Sequence, residues 1–128
     1  ERPNYLPELT GFENLKMLAS INKKIDDTEI LNTLKKVNLL DEKDKKFKKY
    51  SLGMKQKLGI AQVLMENPDI MILDEPFNGL EEESANKIRK ILLEEKEKGK
   101  LIIIATHIKE DIDELCNVIF HIDKGKIK

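Results

Sequence analysis

Pro68-Asp69-Ile70-Met71-Ile72-Leu73-Asp74-Glu75-Pro76 is the stretch whose reading decides the fold. Four apolar residues run without alternation into two adjacent carboxylates, and prolines close both ends. A short unbroken apolar run reads as a strand buried on both faces, as in a parallel sheet. The carboxylates then stand at the strand's C-terminal end, where open α/β sheets bind ligands. Two adjacent acids at a buried strand end repel each other, so a cation is wanted nearby. A hydrated Mg²⁺ held partly by one carboxylate would serve, as in nucleotide phosphate sites.

Downstream, strands and helices alternate. Phe77-Asn78-Gly79-Leu80 reads as a turn, and a long helix is expected over 81–98, with acids in its first turn as the helix dipole favours. Gly99 is its stop. Leu101-Ile102-Ile103-Ile104-Ala105 is a second fully apolar strand, ending at Thr106-His107. A short helix over 109–115, a third strand over 118–122 and a turn at 123–126 into a last short strand complete the pattern. Strand–helix–strand with apolar strands means a parallel sheet with right-handed crossovers, so Asp74-Glu75 and His107 reach the same edge. A lone histidine after a strand is ambiguous, and His107 gains its weight from that position. His121 lies within a strand and reads as structural.

Upstream, the chain is mostly helical. Thr10-Gly11-Phe12-Glu13 has the form of a capping box. Phe12, Leu15, Leu18 and Ala19, with Met17 or Ile21 beside them, give the following helix an apolar face. Asp26-Asp27-Thr28-Glu29 offers a second helix start, followed by Ile30, Leu31, Leu34 and Val37 at helical spacing. Residues 43–49 hold five lysines, one aspartate and Phe47. One aromatic and a neighbouring acid are weak support for nucleic acid, and a solvated face is the favoured reading. Ser51 is a good N-cap for a helix over 52–66 that Asn67-Pro68 ends. Its serine and glycine put a hydroxyl and free N–H groups at the positive end of a helix dipole, which is a general anion site.

The 128 residues carry a net charge of −1, with 37% charged and 40% hydrophobic residues. This is a soluble, helix-rich globular composition with no global pull toward nucleic acid or anionic lipid. Cys116 is the only cysteine, so an internal disulfide is excluded, and a zinc site cannot be built from it and two scattered histidines. The longest apolar runs are far too short to span a bilayer.

The order of these parts resembles the ABC ATPases. Tyr50-Ser51-Leu52-Gly53-Met54 resembles their LSGGQ signature, and Ile70 to Glu75 looks like the Walker B strand with its catalytic glutamate. Asn78-Gly79-Leu80-Glu81 is similar to the D-loop, His107 to the switch histidine, and Thr10 to Leu15 to the segment shortly after the Q-loop. The resemblance covers nearly the whole chain, and these motifs in this order are highly specific. It implies a P-loop NTPase of the α/β class, with a helical signature subdomain over 1–67 and part of the parallel-sheet ATPase core over 68–128. It also implies ATP and Mg²⁺ as ligands. Asp74 would hold the metal through its waters, Glu75 would act as general base, and His107 would contact the γ-phosphate. Ser51 and Gly53 would bind the γ-phosphate of nucleotide held by an opposing subunit. Ser51, Gly53, Met54, Gln56 and Asp74 form the implied nucleotide-binding set.

The expected function is the ATP-driven motor subunit of a membrane transporter, at the cytoplasmic face of the membrane through a permease partner and paired with a second ATPase subunit. No nucleic-acid partner is expected. The Ser-Leu-Gly-Met form of the signature leans toward bacterial exporters of the drug, peptide or bacteriocin-immunity type. Two alternatives stand beside it: a soluble ABC ATPase of translation or DNA repair, and a non-enzymatic partner-binding module. The sequence departs from the family pattern at Leu52, at Met54 in place of the signature glutamine, at Glu81 in place of the D-loop aspartate, and at Glu1 if it occupies the Q-loop position. No G-x-x-x-x-G-K-[ST] stretch occurs. The chain is therefore expected to be the C-terminal-side part of an ATPase subunit that hydrolyses no ATP by itself.

Overall fold

The structure is a computed structural model that describes residues 5–21, 25–106, 122–123 and 126–127. Helices α1 (Gly11–Ala19), α2 (Asp27–Lys36) and α3 (Leu52–Glu66) precede strand β1 (Ile70–Asp74), helix α4 (Glu82–Glu97) and strand β2 (Leu101–Ala105). Two short strands, β3 (Ile122–Asp123) and β4 (Lys126–Ile127), pair antiparallel, as the expected final turn requires. His107, the helix expected over 109–115, and all but the last residue of the strand expected over 118–122 lie outside the described residues.

Local chemistry sets the helix ends. At α1 the Glu13 amide donates to Thr10 Oγ1 (3.0 Å) and the Thr10 amide to Glu13 Oε1 (2.9 Å), so the capping box is complete. Asp26 caps α2 by accepting from the Glu29 amide. Helix α3 runs over the range expected from sequence, between Ser51 and Asn67. Asn67 adopts the left-handed conformation (φ 49°) just before Pro68. Gly99 (φ 92°) supplies the left-handed turn after α4.

β1 and β2 pair in parallel, with Ile70 opposite Leu101 and Asp74 opposite Ala105. The connection between them is α4. One core joins the helices to this sheet through Leu15, Ile30, Leu34, Leu58, Leu73 and Ile88, among others. The strands are not buried on both faces. Met71 and Leu73 are buried, whereas Ile70 and Ile72 (71% exposed) alternate with them, and Leu101 and Ile103 are exposed on β2. Among the described residues the helices cover one side of the sheet, which converts an all-apolar run into a half-buried one. On α1, Leu15 and Ala19 are buried, while Met17 and Ile21 (84% exposed) face solvent.

The lysine-rich segment ends in a single 3₁₀ turn, Phe47–Lys49, and four of its five lysines meet a carboxylate. Lys46 and Lys48 reach Glu8, Lys45 reaches Glu42, and Lys43 reaches Asp44. The Lys48 ammonium holds the Glu8 carboxyl below its ordinary range. These are solvent-exposed pairs of small energetic weight, in keeping with a solvated face.

Two structural features were not foreseen. Asn14 is fully buried and its side chain bonds to the backbone of Leu6, Leu9 and Thr10, which seats the entry loop on α1. Tyr50 is buried against Gly11 and donates to the Glu42 carbonyl (2.8 Å). Burial first, then the Glu42 and Asp44 carboxylates, push its phenol up to about 12. A neutral phenol is thus favoured in the folded chain, so this contribution to stability is whole below the unfolded tyrosine value and is lost as pH rises toward 12. Burial also raises the Tyr5 phenol, so chemical denaturation from about pH 9 upward is expected to show a loss of stability that Tyr50→Phe reduces and that Tyr50→Phe with Tyr5→Phe reduces further. Gly11 and Gly59 give a second check. A methyl at Gly11 would overlap the Tyr50 hydroxyl, whereas one at Gly59 meets nothing within 4 Å. Gly11→Ala is expected to cost about 1–3 kcal/mol, and Gly59→Ala to stabilise α3 by about 0.5–1 kcal/mol, both read from denaturant midpoints.

Candidate functional site

The site is built where β1 ends. Pairing with β2 continues one residue past the strand, because the Glu75 amide donates to the Ala105 carbonyl at 2.8 Å. The backbone then reverses. Glu75 takes φ 45°, the left-handed region that non-glycine residues seldom occupy. Its carbonyl accepts from the Asn78 amide (3.1 Å) and from Gln56 Nε2 (2.6 Å), and Thr106 Oγ1 donates to its carboxylate at 3.5 Å. Asp74 is exposed and Glu75 half-buried.

Pro76 to Leu80 forms the turn that leads into α4. Phe77 is buried, with the Arg89 guanidinium 4.9 Å from its ring centre. Gly79 has φ 79° and lies against the first turn of α3. A Cβ on Gly53 would sit 2.7 Å from the Gly79 carbonyl oxygen, and a Cβ on Gly79 would sit 2.9 Å from the Leu52 side chain. The two segments therefore touch backbone to backbone, and each needs glycine at the contact. Leu52, one of the positions read as departing from the family pattern, packs directly over Gly79.

Two polar side chains of α3 complete the junction from below. Gln56 and Lys57 are both buried, and with Gly53 and Ile60 they share one helix face at three- and four-residue spacing. Gln56 holds the start of the turn at Glu75. Lys57 holds its end, with its ammonium 3.4 Å from Glu81 Oε1, an oxygen that also accepts from Ser84 Oγ (3.1 Å). The Glu81 carboxylate is thus engaged with α3 and α4 side chains, and it does not cap its own helix.

At the top of α3, Ser51 Oγ accepts from the Met54 amide (3.1 Å). Ser51, Gly53, Met54, Gly79, Leu80 and Glu81 line an open groove of about 390 Å³, walled on its far side by the loop after α2. Of the residues singled out from sequence, Ser51, Gly53 and Met54 line this groove, Asp74 and Glu75 stand at the strand end, and Gln56 lies between the two, with its amide used on Glu75. His107 lies outside the described residues. Sequence reasoning missed Lys57 and Thr106. The available signal for Lys57 was its place on the face of α3 that carries Ile60, since a buried ammonium requires a partner.

Removing that partner tests the junction. Glu81→Ala is expected to cost about 1–2 kcal/mol, because it strands the Lys57 ammonium. The same change in a Lys57→Met background is expected to cost less than half as much, with denaturant midpoints as the readout of this cycle.

Comparison with known proteins gives the family and the fold. Residues 1–78 match the family model described as ABC transporter. The chain is 42% identical over 128 residues to the ABC transporter ATP-binding protein YybJ of Bacillus subtilis (strain 168), covering 100% of this chain and 59% of that protein. It is 39% identical over 128 residues to the bacitracin transport ATP-binding protein BcrA of Enterococcus faecalis, covering 99% of this chain and 42% of that protein. It is 36% identical over 127 residues to the lantibiotic transport ATP-binding protein SrtF of Streptococcus pyogenes, covering 99% of this chain and 55% of that protein. The chain thus spans between 42% and 59% of the length of these relatives. The backbone matches the dimeric bacterial ABC transporter cassette MJ0796 with a TM-score of 0.76 at 25% identity, covering 87% of this chain and 51% of that one. The same cassette matches equally well in a post-hydrolysis state bound to ADP and Pi. No helix among the described residues is long and apolar enough to cross a membrane. The fold is that of part of an ABC ATPase cassette, a helical layer on a small parallel sheet, and the chain belongs to the ABC transporter family.

Proposed function

We propose that this chain carries the signature and hydrolytic side of the ATP-driven motor subunit of a bacterial ABC exporter. The observation that supports it best is the junction itself. The first turn of α3, with Ser51 and Gly53, is packed against the turn that begins at Glu75. Phosphoryl transfer needs positioning and charge stabilisation more than covalent chemistry, and both parts of the junction suit that need.

Each residue has a role that its surroundings favour. The amides of a helix's first turn lack intrahelical acceptors and lie at the positive end of the dipole, so α3 offers an anion site beside the Ser51 hydroxyl. Gly53 lets the start of α3 pack against the turn at Gly79. We assign Ser51, Gly53 and Met54 to the triphosphate of an ATP held mainly by an opposing subunit. Glu75 polarises the attacking water as general base, with Thr106 on its carboxylate. His107 contacts the γ-phosphate. Asp74 and Glu75 offer hard carboxylate oxygens that fit Mg²⁺, and Asp74 would hold it through water. Among the described residues no cluster of three or more acidic, histidine or cysteine side chains could ligate a metal by itself, which fits an ion whose other ligands are phosphate oxygens and water. Bound there, magnesium supplies charge neutralisation of the phosphates.

This arrangement makes hydrolysis depend on pairing two ATPase subunits, and the dimeric cassette MJ0796 supports that partner class. The segment over 1–67 is assigned to the helical signature subdomain, whose helices would contact a membrane permease, and 68–128 to the ATPase core. Relatives named for bacitracin transport, lantibiotic transport and fluoroquinolone export favour an antibiotic cargo, with the subunit at the cytoplasmic face of the membrane. With no Walker A loop among them, these 128 residues are assigned no turnover of their own.

The test is magnesium-dependent ATP turnover by a full-length protein bearing this chain, with its permease. Glu75→Gln is expected to lower kcat by about a hundredfold or more while nucleotide binding persists. Turnover by Glu75→Gln at the wild-type rate contradicts the assignment. The 128 residues by themselves are expected to release no phosphate above buffer, and release that Glu75→Gln abolishes would contradict that part.

A further inference from the structure

We propose that Gln56 is a positioning residue for hydrolysis: its buried amide fixes the left-handed backbone from which the Glu75 carboxylate emerges. The inference rests on the reading of Glu75 as general base and adds a residue to it.

The geometry is specific. Gln56 is 7% exposed, and its Nε2 donates to the Glu75 carbonyl at 2.6 Å. The opposite amide orientation would set two oxygens against each other, so the nitrogen must face the carbonyl. Glu75 is held on both sides of its Cα. Its amide is tied to Ala105 on β2, and its carbonyl to the Asn78 amide within the turn and to Gln56 on α3. With φ at 45°, an unfavourable value for a residue with a Cβ, that backbone depends on its ties, and the Gln56 bond is the one that fixes it to α3. The direction of the Cα–Cβ bond, and with it the place of the carboxylate, follows from these ties together.

Gln56 also connects this backbone to the groove. It stands five residues after Ser51 on the same 15-residue helix, whose N-terminal turn lines the groove. A helix moves as a unit over such a length, so a shift of α3 on filling the groove is carried to the Glu75 carbonyl through one short hydrogen bond. A buried glutamine that merely satisfies a buried carbonyl would contribute to stability and leave the chemical step alone. A positioning residue alters kcat. A displacement of the base by about 1 Å is enough to cost up to about a hundredfold in rate.

The experiment uses the full-length protein with its permease and compares Gln56→Met, Gln56→Asn, Leu58→Ala and Glu75→Gln in steady-state ATP turnover, nucleotide binding and thermal melting. Gln56→Met keeps the length and removes the donor. Gln56→Asn keeps a polar amide and withdraws it by one methylene, which protects the test should the first variant fold poorly. Both are expected to lower kcat by about tenfold to a hundredfold with KM for ATP within about twofold of wild type. Leu58→Ala, a buried apolar truncation on the same helix, is expected to lower the melting temperature without that loss of kcat in the folded enzyme. If Glu75→Gln abolishes turnover while both Gln56 variants keep kcat within about twofold, the positioning role is overturned and the general-base reading stands. If Glu75→Gln itself turns over normally, both fall together.

Discussion

The start of α3 at Gly53 packs against the turn at Gly79 so tightly that a Cβ on Gly53 would sit 2.7 Å from the Gly79 carbonyl oxygen. A side chain on either residue would push the segments apart. Because they touch, the side chains one turn further along α3 can reach the same loop, Gln56 at Glu75 and Lys57 at Glu81. The end of β1 and the start of α3 therefore form one junction with three points of attachment. The departures from the family pattern fit this view. Leu52 packs over Gly79, and Glu81 spans to Lys57, so these substitutions serve the packing of the junction as well as the groove.

The sheet shows how context decides the meaning of a pattern. Ile70, Ile72, Leu101 and Ile103 are apolar residues on a face that the described helices do not cover. The core on the other face includes Leu73 and Ile88 and none of these four. A continuous apolar run in a parallel strand is built for two covers, and the described helices supply one of them.

Much of this was legible in the sequence, for physical reasons that can be named. Capping chemistry is local, so the Thr10 box, the Asp26 cap and the Ser51 start of α3 were readable from adjacent residues. The strands could be placed because short apolar runs bounded by proline, glycine and acids leave few other structures. Burial was less legible. Met17 and Ile21 were expected near the core and are exposed, because the side of α1 that packs depends on where α2 and α3 lie. Asn14 was read past, although its side chain organises the entry loop. The site's residue types were visible in order, but their attachments were not. That Gln56 serves the Glu75 carbonyl, and that Lys57 serves Glu81, depends on the fold bringing α3 across the end of β1.

The most direct measurement of the central claim is a crystal structure of the full-length protein, with Glu75→Gln, holding magnesium and ATP. The account expects a dimer in which Ser51 and Gly53 of one subunit contact the γ-phosphate of nucleotide held by the other, with Gln56 still donating to the carbonyl of residue 75. A triphosphate bound away from the first turn of α3, or an α3 detached from the turn after β1 in the ATP-bound state, would contradict it.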